Sequence, residues 1–195
     1  MFIILSKATV LILSIITEKP SSPFEIAKLL EHLNTSKWLP IGESSVYATI
    51  KSLRTKGYID GKIEKNGNMP DKTMYTVTTE GDLALKNNLS EFLASTDLDT
   101  AKFNLSIMLI CHLDKASVME ILQQKLYKYG YAIEGMKKNI LYLESNKLVP
   151  SMGLSVIKHS IHIMEAEIKT IEEIILQIPS DKGWNHFPAK DIRII

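Results

Sequence analysis

The stretch that most constrains this 195-residue chain lies between Trp38 and Gly81. There Trp38-Leu39-Pro40-Ile41-Gly42-Glu43-Ser44-Ser45-Val46-Tyr47 leads into a helical pattern, followed by a basic strand, an Asn66-Gly67 turn and a second strand. Asn-Gly between strand formers is the strongest short hairpin signal, because both residues accept the positive φ of a tight turn. Asn68 to Asp71 lengthen the loop beyond two residues. A short helix tied directly to a hairpin leaves few folds open, all of them placing the two side by side.

The flanking segments supply further helices. A helix over about 7–17 is stopped by Lys19-Pro20-Ser21-Ser22-Pro23, a cluster that also offers caps to the next element. Ile26, Leu29, Leu30 and Leu33 recur at helical spacing and predict a second helix over about 23–33. A loop with Trp38 and Pro40 precedes the third helix, which starts near Ser44 with Gly42 or Ser44 as N-cap. Gly57 suits its end, since glycine adopts the left-handed conformation without a Cβ clash. Tyr58 to Lys65 and Lys72 to Thr78 read as the strands, and Thr79-Glu80-Gly81 opens a helix to about Ser95. Three helices, a hairpin and a helix in this order make a winged helix-turn-helix.

The second half is almost wholly helical. After a helix over about 100–113, Leu122, Leu126, Tyr129, Ile133, Met136, Ile140 and Leu143 alternate by four and three. The same rhythm returns in Ile157, Ile161, Met164, Ile168, Ile171, Ile175 and Ile178, after a break at Val149-Pro150-Ser151. Such seams pack long helices on other helices with coiled-coil-like geometry. The two helices can simply pack on each other, yet two narrow apolar stripes on one protruding hairpin bury poorly in a monomer. The expectation is a homodimer with Tyr129, Ile133, Met136, Ile161, Met164, Ile168 and Ile171 at its interface. The predicted fold class is mainly α with a small β-hairpin. It comprises an N-terminal winged helix-turn-helix domain at 1–95 and a C-terminal helical dimerisation domain with long antiparallel helices at 96–195. The tail from Pro179, with Trp184, Phe187 and Pro188, is irregular.

Composition narrows the function classes. A hydrophobic share of 45% and a charged share of 23% are ordinary for a globular protein, and the net charge of +1 does not by itself point to nucleic acid. The distribution is more informative: from Lys51 to Lys72, six basic residues stand against three acidic ones. A local excess of that size orients a protein on phosphates and gives a modest, salt-sensitive attraction. The single cysteine, Cys111, has no intrachain partner and lies in an apolar run, which fits a small buried thiol and a reducing cytoplasm. The apolar start from Met1 to Ile16 is interrupted by Lys7, lacks a basic leader and falls short of the roughly 20 residues needed to span a bilayer. It is expected to be a buried first helix, neither a signal peptide nor a membrane anchor.

On the third helix, Val46, Ile50 and Leu53 share the side expected to face the core. The other side presents Ser44, Ala48, Lys51 and Thr55, flanked by Ser45, Tyr47, Ser52 and Arg54. Short side chains let such a helix enter a major groove, hydroxyls meet base edges or phosphates, and Lys or Arg grips the backbone. Tyr47 either donates its hydroxyl to a phosphate or packs its ring inside. In the hairpin, Lys62, Lys65 and Lys72 are the phosphate or minor-groove candidates, with Asn66 and Asn68 at the tip.

From Leu11 to Gly81 the chain resembles the winged-helix domain of PadR-type transcriptional regulators. The resemblance rests on Trp38-Leu39-Pro40-Ile41, Glu43-Ser44-Ser45-Val46-Tyr47, Leu53-Arg54-Thr55-Lys56-Gly57-Tyr58-Ile59, and Pro70-Asp71-Lys72-Thr73-Met74-Tyr75-Thr76-Val77-Thr78-Thr79-Glu80-Gly81. It implies contacts to double-stranded DNA from Ser44, Ser45, Tyr47, Lys51 and Lys72, with Tyr75 supporting the wing from within the sheet. It also implies a homodimeric repressor released by a small-molecule effector bound near the dimer interface. Phe2, Phe103, Met108, Tyr129 and Met136 are candidates for lining such a cavity, although core packing explains each of them singly. The chain departs from the family pattern in having Pro23-Phe24 before Glu25-Ile26, and Asp71 where a basic wing residue is frequent.

No phosphate-binding glycine loop, nucleophile elbow or paired catalytic carboxylate is present, so an enzyme is not expected, nor a cofactor. His159, His162 and Glu165 recur every three residues, but the preceding long helix offers only scattered Glu134 and Glu144 as matching ligands, so no metal site is expected. His112 beside Cys111 points in a different direction on a helix. The sequence therefore reads as a sequence-specific DNA-binding regulator, the alternative being a winged-helix protein-interaction module without specific DNA binding.

Overall fold

The computed structural model describes residues 3–66, 69–180 and 184. Seven α-helices and one hairpin make up the regular structure among them. In order these are α1 (Lys7–Glu18), α2 (Pro23–His32), α3 (Glu43–Thr55), β1 (Ile59–Asn66), β2 (Met69–Val77), α4 (Thr79–Ala94), α5 (Thr100–Met108), α6 (Lys115–Ser145) and α7 (Ser151–Gln177). Short 3-10 turns occupy Thr35–Lys37 and Ile110–His112. The residues group into two compact units, one within 1–92 and 101–113, the other within 93–100 and 114–184. The sequence reading placed 101–113 in the second half. Its apolar face joins the first unit instead, where Phe103, Leu105 and Leu109 are buried and Lys102 Nζ lies 5.4 Å from the Phe92 ring centroid.

In the first unit α1 is buried on all sides from Val10 to Ile16. Ser14, the one polar residue in that run, donates its hydroxyl to Leu11 O at 2.7 Å. The helix packs on α3 and β2, as its all-round apolarity requires. α2 begins with a complete capping box: Ser22 Oγ accepts the Glu25 N–H at 3.3 Å, and Glu25 Oε2 accepts the Ser22 N–H at 2.8 Å. Pairing the helix's first amides in this way is worth on the order of 1 kcal/mol. Gly57 (φ 73°) turns the chain out of α3 into β1.

The two strands run antiparallel with Ile59 opposite Val77 and Glu64 opposite Lys72, and a register shift follows between Glu64 and Asn66. The second strand starts at Met69, earlier than the sequence indicated. Ser21 adds a bridge to the free edge of β2, exchanging backbone hydrogen bonds with Tyr75 at 3.1 and 3.0 Å. Gly81 sits where any Cβ would stand 2.0 Å from Tyr58 O, so glycine alone lets α4 approach the start of the wing.

In the second unit α6 packs on α7. Lys115 Nζ bonds Ile178 O, Lys137 pairs with Glu165, and Lys158 pairs with Glu144; this inverse order of partners makes the helices antiparallel. Trp184 is buried, with Lys115 Nζ 5.5 Å from its ring centroid. Lys125 and Glu167 are buried in the seam, whereas Leu126 and Ile168, which the four-three rhythm selected, are half-buried. Lys125 Nζ lies 3.2 Å from Glu167 Oε2, and Tyr129 donates its hydroxyl to the same oxygen at 2.6 Å. No helix among the described residues is long and apolar enough to cross a membrane.

Candidate nucleic-acid interface

The orientation of α3 is set by its apolar residues. Val46, Ile50 and Leu53 are buried, so the opposite face is turned out, and Ser44, Ser45, Tyr47, Lys51 and Arg54 are all exposed. Tyr47 is 48% exposed, which decides between the two readings of its ring: the hydroxyl is free to reach a ligand. The helix thus presents hydroxyls in its first turn and cations further along, the layout that lets a helix sit in a groove while its bases-facing end stays small.

The wing adds to this surface. Lys62 is exposed on β1. Lys72 is half-buried, with its Nζ 3.3 Å from Glu25 Oε1 on α2. The side chains of Lys65, Asn66 and Asp71, and residues Gly67 and Asn68 at the tip, lie outside what the structure describes. Tyr75 is half-buried, its ring against Gly61, where an added Cβ would lie 2.9 Å from the ring edge. That contact fits its expected role as a support within the hairpin. A cavity of about 490 Å³ opens beside the interface, between α2 and α3, lined by Phe24, Ala27, Leu30, Ile41 and Val46 with Lys28 and Glu31 at its edge.

Tyr129, Ile133, Ile161, Met164 and Ile171 are buried within a single chain, and Met136 and Ile168 are half-buried. The seam is occupied by α6 and α7 of the same chain, because each helix satisfies the other's apolar stripe. Among the described residues of this unit, the large apolar side chains left exposed are Tyr127, Tyr131, Leu141, Tyr142, Leu148, Met152, Val156 and Leu176. Of the effector-lining candidates, Phe103 and Met108 lie in the first unit, Tyr129 and Met136 in the second, and Phe2 outside the described residues.

His159 and His162 are exposed, Glu165 is paired with Lys137 at 3.5 Å, and no group of three metal-binding side chains occurs among the described residues. Cys111 is half-buried, and desolvation followed by the nearby Glu18 charge raises its thiol pKa, so it is a poor nucleophile. The His112 side chain is 7% exposed with Nε2 3.5 Å from Glu18 Oε1, and loss of water outweighs the opposing pull of Asp82 and lowers its pKa to about 4.

Three polar pairings escaped the sequence reading: Glu25 with Lys72, His112 with Glu18, and Lys125 with Glu167 and Tyr129. None left a sequence signal: the Ser22-x-x-Glu25 capping box marks the start of α2 but not the lysine that Glu25 meets.

The model of the transcriptional regulator PadR-like family matches residues 12–87. Among solved structures, Bacillus subtilis PadR in complex with operator DNA is 19% identical, with 89% of this chain and 99% of that chain covered and a TM-score of 0.39. A PadR-like transcriptional regulator from Bacillus cereus is 14% identical, with 89% and 97% covered and a TM-score of 0.38. Bacillus subtilis PadR in complex with p-coumaric acid is 17% identical, with 89% and 99% covered and a TM-score of 0.36. A search of curated proteins finds no match. The family match spans most of α1 to α4 together with the hairpin, so residues 12–87 are similar to the PadR-like family of transcriptional regulators.

Proposed function

We propose that the protein is a homodimeric, sequence-specific DNA-binding repressor acting in the cytoplasm and released by a small-molecule effector. The observation that carries the DNA part is the outward face of α3, where Ser44, Ser45, Tyr47 and Lys51 stand exposed in the first three turns. In the complex α3 enters a major groove, its hydroxyls meet base edges, and Lys51, Arg54, Lys65 and Lys72 neutralise phosphates.

Dimerisation is supported by the apolar residues left on the outside of α6 and α7. Tyr127, Tyr131 and Met152 are each at least three-quarters exposed, apolar side chains that a partner copy would cover. Two copies joined there read two half-sites of a pseudo-palindrome. The effector part rests on the family reading alone.

Selection from a pool of randomised duplexes tests the proposal. Enrichment of a two-fold symmetric site, lost in Lys51→Ala, supports it. A pool that stays random while the protein binds another polypeptide through its helical half supports the protein-interaction module instead. Sedimentation equilibrium giving twice the 22.0 kDa chain mass is the matching result for the dimer. Displacement from the selected site by p-coumaric acid, the ligand of the Bacillus subtilis relative, is the first effector trial.

A further inference from the structure

Glu25 uses its two carboxylate oxygens for different purposes. Oε2 closes the capping box of α2, accepting the Ser22 N–H at 2.8 Å and the Ser22 hydroxyl at 2.9 Å. Oε1 accepts a hydrogen bond from Lys72 Nζ, 47 residues away on the wing, at 3.3 Å. The backbone prepares this meeting. Ser21 pairs with Tyr75 on the free edge of β2, so the start of α2 runs alongside Lys72 and the ion pair needs little further ordering. Burial opposes the charge on Glu25, but the Ser22 hydrogen bonds and the Lys72 ammonium outweigh it and keep the carboxylate ionised. Glu64 stands opposite Lys72 in the ladder, yet the lysine reaches across to α2.

A DNA phosphate offers Lys72 what Glu25 already supplies, an anionic oxygen that accepts a hydrogen bond from an ammonium group. The wing lysine is therefore occupied before any DNA arrives.

We propose that Glu25 is an internal stand-in for a DNA phosphate, holding Lys72 in the DNA-free protein and giving it up when the wing docks. Wing binding is then an exchange of partners, which lowers the affinity below what the same cation would give if unpaired. This rests on the DNA-binding reading and goes beyond it by assigning a restraining role to a residue on α2.

The test is a double-mutant cycle on the full-length chain: wild type, Glu25→Gln, Lys72→Ala and the double variant. The probe is a mixed-sequence duplex about 30 base pairs long, titrated from about 50 to 200 mM salt. Glutamine at this position still closes a capping box, so Glu25→Gln is expected to fold, with a melting temperature lowered only by the loss of the ion pair. It should bind about threefold to fivefold more tightly, the scale of a partly exposed ion pair. Lys72→Ala should lower the slope of log K against log salt by about 0.9. In the Lys72→Ala background, Glu25→Gln should give little or no further gain. An equal gain with and without Lys72 would mean that Glu25 merely repels DNA, and would overturn the exchange. No gain at all, in a protein whose salt-dependent binding is weakened by Lys51→Ala, would overturn this inference alone. Absence of binding by all four proteins at about 50 mM salt would refute the DNA-binding reading and this inference with it.

Discussion

Lys125→Met should cost the second unit about 3–5 kcal/mol, a large part of the 5–15 kcal/mol typical of a domain. The reasoning starts from burial: the Lys125 and Glu167 side chains are 2% and 6% exposed. Lys125 Nζ and the Tyr129 hydroxyl both meet Glu167 Oε2, while Oε1 has no hydrogen-bond partner among the described residues. Methionine keeps the length of the lysine stem and removes its charge, leaving a carboxylate in an apolar seam with the tyrosine hydroxyl as donor. Adding Glu167→Met removes the second charge. The double variant then loses mainly the partner of the Tyr129 hydroxyl, about 1–3 kcal/mol, set against the relief of two desolvated ions. The double variant is thus expected within about 2 kcal/mol of wild type, with a coupling between the positions of at least about 2 kcal/mol. Urea unfolding followed by Trp184 fluorescence reads this out, in a Trp38→Phe background so that the reporter lies in the second unit. A cost below about 1 kcal/mol for Lys125→Met alone would refute the reasoning, since an uncompensated buried carboxylate cannot be that cheap.

Other outcomes follow from the same contacts. His112 is held neutral with a pKa of about 4 against an ordinary 6.5, by burial against the opposing pull of Asp82. The unfolded chain therefore takes up a proton first, so the contribution of His112 to stability is constant above pH 6.5 and falls by up to about 3 kcal/mol as the pH drops toward 4. His112→Asn should flatten that part of the curve in denaturation series at fixed salt. Asn88 is fully buried, its Oδ1 accepting the Leu5 N–H at 2.7 Å and its Nδ2 donating to Ala84 O and Ile3 O. Asn88→Ala should cost about 2–3 kcal/mol and abolish the slow hydrogen exchange of the Leu5 amide. Lys51→Ala should reduce the salt slope of DNA binding by about 0.9 on matched and scrambled duplexes alike, as a phosphate contact does.

The elements were legible in the sequence where local chemistry and tertiary packing agree. Pro23 with the Ser22 cap fixed the start of α2, and Gly57 marked the end of α3. The alternation of buried Val46, Ile50 and Leu53 with exposed hydroxyls oriented α3 correctly before any contact was known. The polar pairings were illegible because they join residues far apart in the chain. Lys72 meets Glu25 across 47 positions and Glu167 meets Tyr129 across 38, distances over which no periodicity carries information. The heptad rhythm also misplaced the seam by one residue, from Leu126 to Lys125 and from Ile168 to Glu167. A hydrophobicity pattern cannot anticipate that two opposite charges will be buried together.

The central claim is that the exposed face of α3 reads DNA sequence. The most direct test is fluorescence anisotropy of the protein with DNA from upstream of its own gene, beside a scrambled duplex of equal length, over a salt series. The account predicts tighter binding to the native fragment, with a gap to the scramble that survives rising salt because base contacts release no counterions. Equal, weak binding to both, abolished together by salt, would contradict it.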